Sequence, residues 1–363
     1  MKVTHIANLD AVSQLSEAEK ELLRPVADKY AFRTNSYYNS LINWDDPADP
    51  IKRLIMPTVD ELFEWGELDA SNEKSFQPID GLEHKYGSTA LMLVNDVCGA
   101  YCRFCFRKRL FQDDNEEVVR DVSEGIKYVK QHPEINNILL SGGDPLMMST
   151  RNLAEIMKSI NEVPHVKTVR IGTKMIAFDP YRILNDKPLL DLLGDFNKQK
   201  QIYIVLHFNH PRELTKEAQH AISEIRKKEI TVINQTPIIQ GVNDSPELLG
   251  ELFNTLCNLG ISQYYVFACR PTAGNKTYMI PLEESFEIFQ KSRASLSGLA
   301  KMARFVMSHA SGKIEVIGFL GDSVIMKYHS AADPKNKDRV FMFDRDPNAY
   351  WFDDYLLQDN AKI

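Results

Sequence analysis

Cysteine is scarce in this chain: five in 363 residues, an odd number. That count excludes a disulfide framework of the kind that staples small secreted domains. Long apolar runs are missing as well. No stretch reaches the 18 or so apolar residues of a membrane span. The opening MKVTHIANLDAVSQLSEAEKELL lacks the apolar centre of a signal peptide, so a cytoplasmic protein is expected. Positive charge is in deficit, 43 Lys and Arg against 50 Asp and Glu, for a net charge of -7. General affinity for nucleic acid or an anionic membrane is therefore not expected. Internal repeats and low-complexity tracts are absent. The remaining composition, 44% hydrophobic and 26% charged, suits a chain that buries a large core.

The texture changes along the chain. Residues 1–85 are polar and read as a helical extension, with helices expected at Ser16–Tyr30 and Thr58–Trp65. Ser16 followed by Glu19 is a capping-box signature. From about residue 89, short β-rich runs alternate with amphipathic stretches. The runs are ALMLVN (90–95), NILLSG (137–142), TVRIGT (168–173), IYIVLHF (202–208), TVINQT (231–236) and YYVFAC (264–269). The intervening helices are expected at Glu116–Lys130, Thr150–Asn161, Thr215–Lys228 and Pro246–Leu259. This alternation predicts repeated βα units on a parallel sheet, and six of them suit a barrel or part of one. Polar residues close nearly every run: Asn95, Ser141 to Asp144, Lys174, His207, Gln235 and Arg270. In parallel α/β barrels that end carries the site. After residue 273, KIEVIG, SVIMKYH and RVFMF read as an antiparallel tail, and DRDPNAYWFDDYLL is expected to pack back on the body.

Three of the five cysteines stand together in CGAYCRFCFRKRL, as Cys98, Cys102 and Cys105. Zinc in closed sites takes four ligands, usually as two separated pairs, and no second pair exists here. A [4Fe–4S] cluster held by three thiolates would leave one iron open to a small ligand. Arg103, Arg107, Lys108 and Arg109 stand among and behind the thiols. Arg103, Lys108 and Arg109 carry no assignment from the sequence beyond a solvated surface.

The CxxxCxxC spacing after the first strand of a βα array resembles the radical SAM superfamily. There the open iron binds S-adenosylmethionine (SAM), and reductive cleavage gives a 5′-deoxyadenosyl radical. SGGDPL at 141–146 resembles the family's glycine-rich SAM segment. RIGTK, LHFNHPRELT, NQTPIIQGVND and YYVFAC then follow in the order seen in lysine 2,3-aminomutase and its relatives, over residues 85–320. The resemblance implies a partial (β/α)6 TIM-type barrel over 86–273, an α/β fold with the helical extension before it and a small β-containing extension at 274–363. It implies a [4Fe–4S] cluster on Cys98, Cys102 and Cys105, and SAM held near Gly142, Gly143, Asp144, His207 and Gln235. It also implies pyridoxal 5′-phosphate (PLP), in imine linkage to the substrate, with Lys313 as the PLP lysine. Arg107 matches the arginine that pairs with the substrate α-carboxylate. An amino-acid substrate, an electron donor such as flavodoxin or ferredoxin, and homo-oligomers belong to the same implication.

Four departures bear on the reading. SHASGK, before and including Lys313, has fewer glycines than the family's phosphate loop. Thr89 stands where an arginine is usual. Arg270 and Ser308 replace the two aspartates that hold the ammonium of lysine, and a cation there repels lysine. The zinc cysteines of the clostridial-type C-terminal extension are missing, so no zinc is expected. The expected activity is migration of an amino group from Cα to Cβ of an amino acid other than lysine, glutamate or another acidic one first. Two alternatives stay open: an enzyme of the same scaffold with altered or lost PLP use (an epimerase, dehydrogenase or other radical rearrangement), and a non-catalytic iron–sulfur protein.

Overall fold

The computed structural model describes residues 2–112 and 115–357. Strands β1 (His5–Ile6) and β2 (Thr34–Asn35) pair in a small antiparallel ladder within the extension. The frame is one 11-stranded sheet. Its strands are β3 (Leu82–Tyr86), β4 (Thr89–Asn95), β5 (Asn137–Gly142), β6 (Thr168–Thr173), β7 (Gln201–Leu206), β8 (Thr231–Pro237) and β9 (Ser262–Phe267), then β10 (Arg304–His309), β11 (Gly312–Leu320), β12 (Ser323–Ala331) and β13 (Val340–Asp344). They lie side by side in strict chain order from β3 to β13. Strands β4 to β10 run parallel, β3 is antiparallel to β4, and β11 to β13 form antiparallel hairpins.

The six expected strands are all present, and the sheet adds a seventh parallel one. Helix Leu282–Ala294 is the crossover that carries the chain from β9 to β10. The hairpins continue from β10 without a break, so one sheet runs through residues on both sides of position 273. Expected helices appear at Thr150–Asn161, Lys216–Arg226 and Pro246–Asn258. The one expected at Glu116–Lys130 begins later, at Ser123. In the extension, helix Glu17–Lys29 carries the Ser16–Glu19 capping box. The helix expected at Thr58–Trp65 is instead one 3-10 turn, Val59–Leu62. Its Glu61 side chain is drawn inward to a buried arginine.

Alternation within strands gives the sheet two faces. In β6, Val169 and Ile171 are fully buried, while Arg170 and Gly172 are only half-buried. The buried row joins helix residues Leu153, Ile156, Leu193, Ile222 and Leu252 in one core beneath the helices. Each such side chain contributes about 1.5–3 kcal/mol of burial. The other row faces the inside of a partial barrel: Leu139, Ser141, Arg170, Tyr203, Gln235, Phe267 and Lys313 are all half-buried there. Trp351, Phe352 and Tyr355 of the final acidic stretch pack into the main core, as expected. No helix among the described residues is long and apolar enough to cross a membrane.

A second core joins the extension to the barrel. Leu9, Val12, Phe32, Ile51 and Leu54 pack with Ala100 and Phe104 of the cysteine loop. An ion pair locks this contact. Arg103 donates from Nε to Glu61 Oε1 at 3.0 Å and from Nη2 to Glu61 Oε2 at 2.8 Å, and its side chain is 2% exposed against 0% for Glu61. Removing one partner of such a pair strands a buried charge. Glu61→Ala is expected to lower unfolding stability by about 3–5 kcal/mol, read as a fall in the urea midpoint. A midpoint close to the parent's would show that the pair does not hold the extension in place.

Candidate active site

The cysteine loop leaves β4 and is tied down from both sides. Tyr101 N–H donates to Arg33 O at 2.9 Å, Arg103 N–H to Leu54 O at 2.9 Å, and the Asn35 amide to Gly99 O at 3.1 Å. The segment after β5 then lies directly on the start of the loop. Gly143 N–H donates to Asn95 O at 2.5 Å and Asp144 N–H to Val97 O at 2.9 Å. Gly142 has φ of +108°, and a Cβ there would lie 2.4 Å from Asn95 O. A Cβ on Gly143 would lie 2.7 Å from Val97 N. The close approach that makes these glycines necessary is therefore to the chain's own backbone.

Cys98, Cys102 and Cys105 are unpaired, half-buried thiols. Burial pushes all three upward, Cys102 to about 12, and charge on Cys102 or Cys105 raises Cys98 further. They stand within electrostatic reach of one another and bind a metal only by giving up their protons. Among the described residues no three His, Cys, Asp or Glu side chains close on a single ion. An iron–sulfur cluster engages soft thiolates at separate irons, and three such donors on one loop suit its chemistry. His207 supports a ligand beside them. Its Nε2 is buried with no hydrogen-bond partner among the described residues, and burial, helped by the charge of Lys174, takes its pKa down to about 3. The ring is held neutral, 5.9 Å from Phe104 between centroids.

The cations of the loop are not a solvated surface. Arg103, Arg107, Lys108 and Arg109 are all buried, and the expectation for Arg103, Lys108 and Arg109 is corrected. Each has a carboxylate partner. Lys108 reaches Glu61 at 3.6 Å, and Arg109 reaches Glu73 and Glu117, both at 2.9 Å. Arg107 contacts Glu73 at 3.1 Å, Glu83 at 3.3 Å and the Ser141 hydroxyl at 2.9 Å. Arg270 reaches Glu73 at 3.3 Å and lies 3.6 Å over the Phe106 ring, whose centroid is 4.8 Å from Arg107. Arg107 and Arg270 thus share one protein carboxylate. Burial alone would raise the Glu73 carboxyl, but Arg107, Arg270 and Arg109 hold it well below the usual range. Burial and the neighbouring Glu73 push Glu83 the other way, up to about 7.

Sequence reasoning missed Glu61, Glu73 and Glu83, because acidic residues in a polar extension look like surface. The available signal was GLEHKYG, a short run bracketed by glycines that forms β3.

Asp144 is a fastener between strand ends. It accepts from the Thr173 hydroxyl at 2.8 Å, Lys174 N–H at 2.7 Å, Leu146 N–H at 3.0 Å and Met175 N–H at 3.0 Å. Burial still raises it to about 6. The HFNHP and GVND motifs are fasteners too. Lys174 Nζ donates to Asn209 Oδ1 at 2.7 Å and Glu213 Oε1 at 2.5 Å, and Asn243 Nδ2 to Asn209 O at 3.0 Å. Gln235 sits at a β8 irregularity opposite Tyr265, half-buried on the inner face.

Lys313 lies on β11, opposite Ser308 of β10. Its Nζ stands 4.1 Å over the Tyr265 ring and 5.5 Å from that of Phe267. Burial, with the charges of Arg170, Arg270 and Lys85, brings its amine down to about 7. Strands β3 and β6 and the segment after β9 thus turn cations toward one amine. That environment fits a lysine that must be partly neutral, with an anionic group beside it. The segment before it is a tight hairpin turn. Gly312 has φ of +151°, and a Cβ there would meet Ser330 O at 2.3 Å. His309 is engaged with Ser311 at 2.7 Å and Asp353 at 3.1 Å. Thr89 opens β4 opposite Tyr86.

The radical SAM superfamily profile matches residues 92–252. A protein of Aquifex aeolicus (strain VF5), provisionally named an L-lysine 2,3-aminomutase, is 54% identical over 98% of this chain and 95% of its own. The L-lysine 2,3-aminomutase of Clostridium subterminale is 30% identical over 82% of this chain and 71% of its own. The glutamate 2,3-aminomutase of Clostridioides difficile (strain 630) is 30% identical over 82% of this chain and 70% of its own. Equal identity to enzymes named for two amino acids leaves the substrate to the site residues. The family implies a [4Fe–4S] cluster and SAM, and its members are isomerases. The chain belongs to the lysine 2,3-aminomutase family of the radical SAM superfamily.

Proposed function

We propose that the protein is a PLP-dependent 2,3-aminomutase acting on an amino acid other than lysine, with glutamate or another acidic amino acid first. The observation that carries the PLP assignment is Lys313: a half-buried amine brought to about 7 among Arg170, Arg270 and Lys85. When bound, the cluster and SAM supply a hydrogen-abstracting radical, and PLP supplies a covalent hold on the migrating nitrogen. Cys98, Cys102 and Cys105 would hold the cluster. His207, Gln235 and the Gly142–Asp144 segment would line the SAM site. The protein's own residues do the rest. Lys313 Nζ releases a proton near neutral pH and presents a free amine. Tyr265 and Phe267 shield that amine from water. Arg107 binds a carboxylate, for which a planar guanidinium is suited. Arg270, with Ser308 opposite Lys313, offers no anion to an ammonium and disfavours a cationic side chain.

The short turn before Lys313 favours a second reading, the same scaffold with altered or lost PLP use. His309 and Ser311 are already engaged there, and the Asp353 carboxylate stands against His309. Spectroscopy separates the two. Protein loaded with PLP is expected to show the visible band of lysine-bound pyridoxal, and Lys313→Ala to lack it. Loading should rise with pH through a midpoint of about 7, because the reactive amine is the deprotonated form above its lowered pKa. No band in the parent, or the same band in Lys313→Ala, overturns the PLP reading.

The substrate is tested anaerobically with reduced enzyme, SAM and an amino-acid panel. A β-amino product is expected from glutamate or another acidic amino acid, with 5′-deoxyadenosine formed. Arg270→Asp should shift preference toward cationic substrates by about tenfold or more, the scale of one charge contact. Conversion of lysine by the parent, in preference to acidic amino acids, overturns the substrate assignment.

A further inference from the structure

Two buried carboxylates crowd one nitrogen of Arg107. Glu73 takes the Nε–Nη2 edge of the guanidinium with both oxygens, Oε2 at 3.1 Å from Nε and Oε1 at 3.2 Å from Nη2. This fork-on-fork contact fixes the guanidinium plane. The second fork, Nη1–Nη2, has looser partners: Ser141 Oγ at 2.9 Å from Nη1 and Glu83 Oε1 at 3.3 Å from Nη2. Glu73 cannot leave its place, because it also neutralises Arg109 at 2.9 Å and Arg270 at 3.3 Å. Glu83 makes one ion pair among the described residues, and it sits on β3, the edge of the sheet.

We propose that the Nη1–Nη2 edge of Arg107 reads the substrate carboxylate, that Glu83 holds this edge in the empty enzyme, and that the arriving carboxylate displaces Glu83, which takes one proton from solvent. The proposal rests on the reading of Arg107 as the carboxylate-binding arginine and makes Glu83 a positioning residue for it. The displaced Glu83 requires the proton. Arg107 is its one ion-pair partner among the described residues, and a buried carboxylate that loses that partner beside Glu73 is costly as an anion. Protonation removes that cost. No bond to carbon changes and no oxidant is needed. The groups facing Glu83 are Glu73, Arg107, Arg109 and Arg270, with Lys85 and Tyr86 on its own strand. Burial and Glu73 place its titration near 7, so the exchange is available at neutral pH. The ligand class follows: a free carboxylate competes for the fork, and an amide or ester does not.

The test is calorimetric binding to the holoenzyme without reductant, so that no turnover occurs. The probes are L-glutamate, L-alanine and L-lysine, in two buffers of different ionisation enthalpy, from about pH 6 to about pH 8.5. Glu83 is ionised above its pKa and its displacement favours the protonated form. Binding should therefore take up about one proton above pH 8 and none near pH 6, and weaken about tenfold per pH unit above 7. In Glu83→Gln this uptake and slope should vanish, while contributions from Lys85, Lys313 and the ligand amine remain. Glu83→Asp should keep the uptake with a shifted midpoint, and serves if the glutamine variant does not fold. Uptake and slope unchanged in Glu83→Gln, or lost in Glu83→Asp, overturn the role of Glu83 and leave Arg107 in place. If no probe binds the parent, or Arg107→Lys binds as tightly as the parent, the carboxylate site itself is wrong and Glu83 falls with it.

Discussion

Four cations have to be buried beside three thiols, and most of this structure follows from that constraint. An unpaired buried guanidinium costs several kcal/mol, so each cation of RFCFRKR must meet a carboxylate. Among the described residues the barrel itself supplies only Glu117. The others, Glu61, Asp69, Glu73 and Glu83, come from the residues ahead of β4. The N-terminal extension is thus the anionic half of the loop's ion-pair network. Its apolar residues seal the same contact, since Ala100 and Phe104 share a core with Leu54 and Phe32. A loop whose thiols must be held at fixed positions gains from being clamped on both sides.

The strand ends obey a related rule. Parallel strands terminate with exposed backbone and need polar partners where a site opens. Asp144 serves the ends of β5 and β6, and Asn209, Glu213 and Asn243 serve β7 and β8. Several residues of the family motifs therefore act on backbone. His207 stands apart from them because its Nε2 has no partner among the described residues, one of seven buried side-chain atoms so left. On the proposed reading, that atom faces the bound ligand.

The strands of the barrel were legible because helices cover their outer faces. NILLSG and TVRIGT fall on β5 and β6 with the same bounds. The strands that escaped reading are instructive. LEHKY turns Glu83 and Lys85 inward, so its inner face is charged and the usual alternation is hidden. RFVMSH lies beyond a long connection and one more helix, outside the regular βα spacing. The cysteines and glycines were legible from spacing, because they serve local geometry. The carboxylate partners were not, because ion pairing across 24 to 197 residues leaves no period in a sequence.

The inner face also shows how one set of charges can serve two requirements. Burial, and then Arg170, Arg270 and Lys85 by repulsion, lower the Lys313 amine, while Glu73 holds Arg270 in place. On the proposed reading, an anionic phosphate arriving among these cations would relieve the same repulsion and raise the amine again. A glycine-rich phosphate loop would bind through neutral N–H dipoles and exert a weaker pull on the amine. On the same reading, with the turn at Gly312 tight, the full charges of Lys85, Arg170 and Arg270 would carry that role and couple the phosphate to the Lys313 amine.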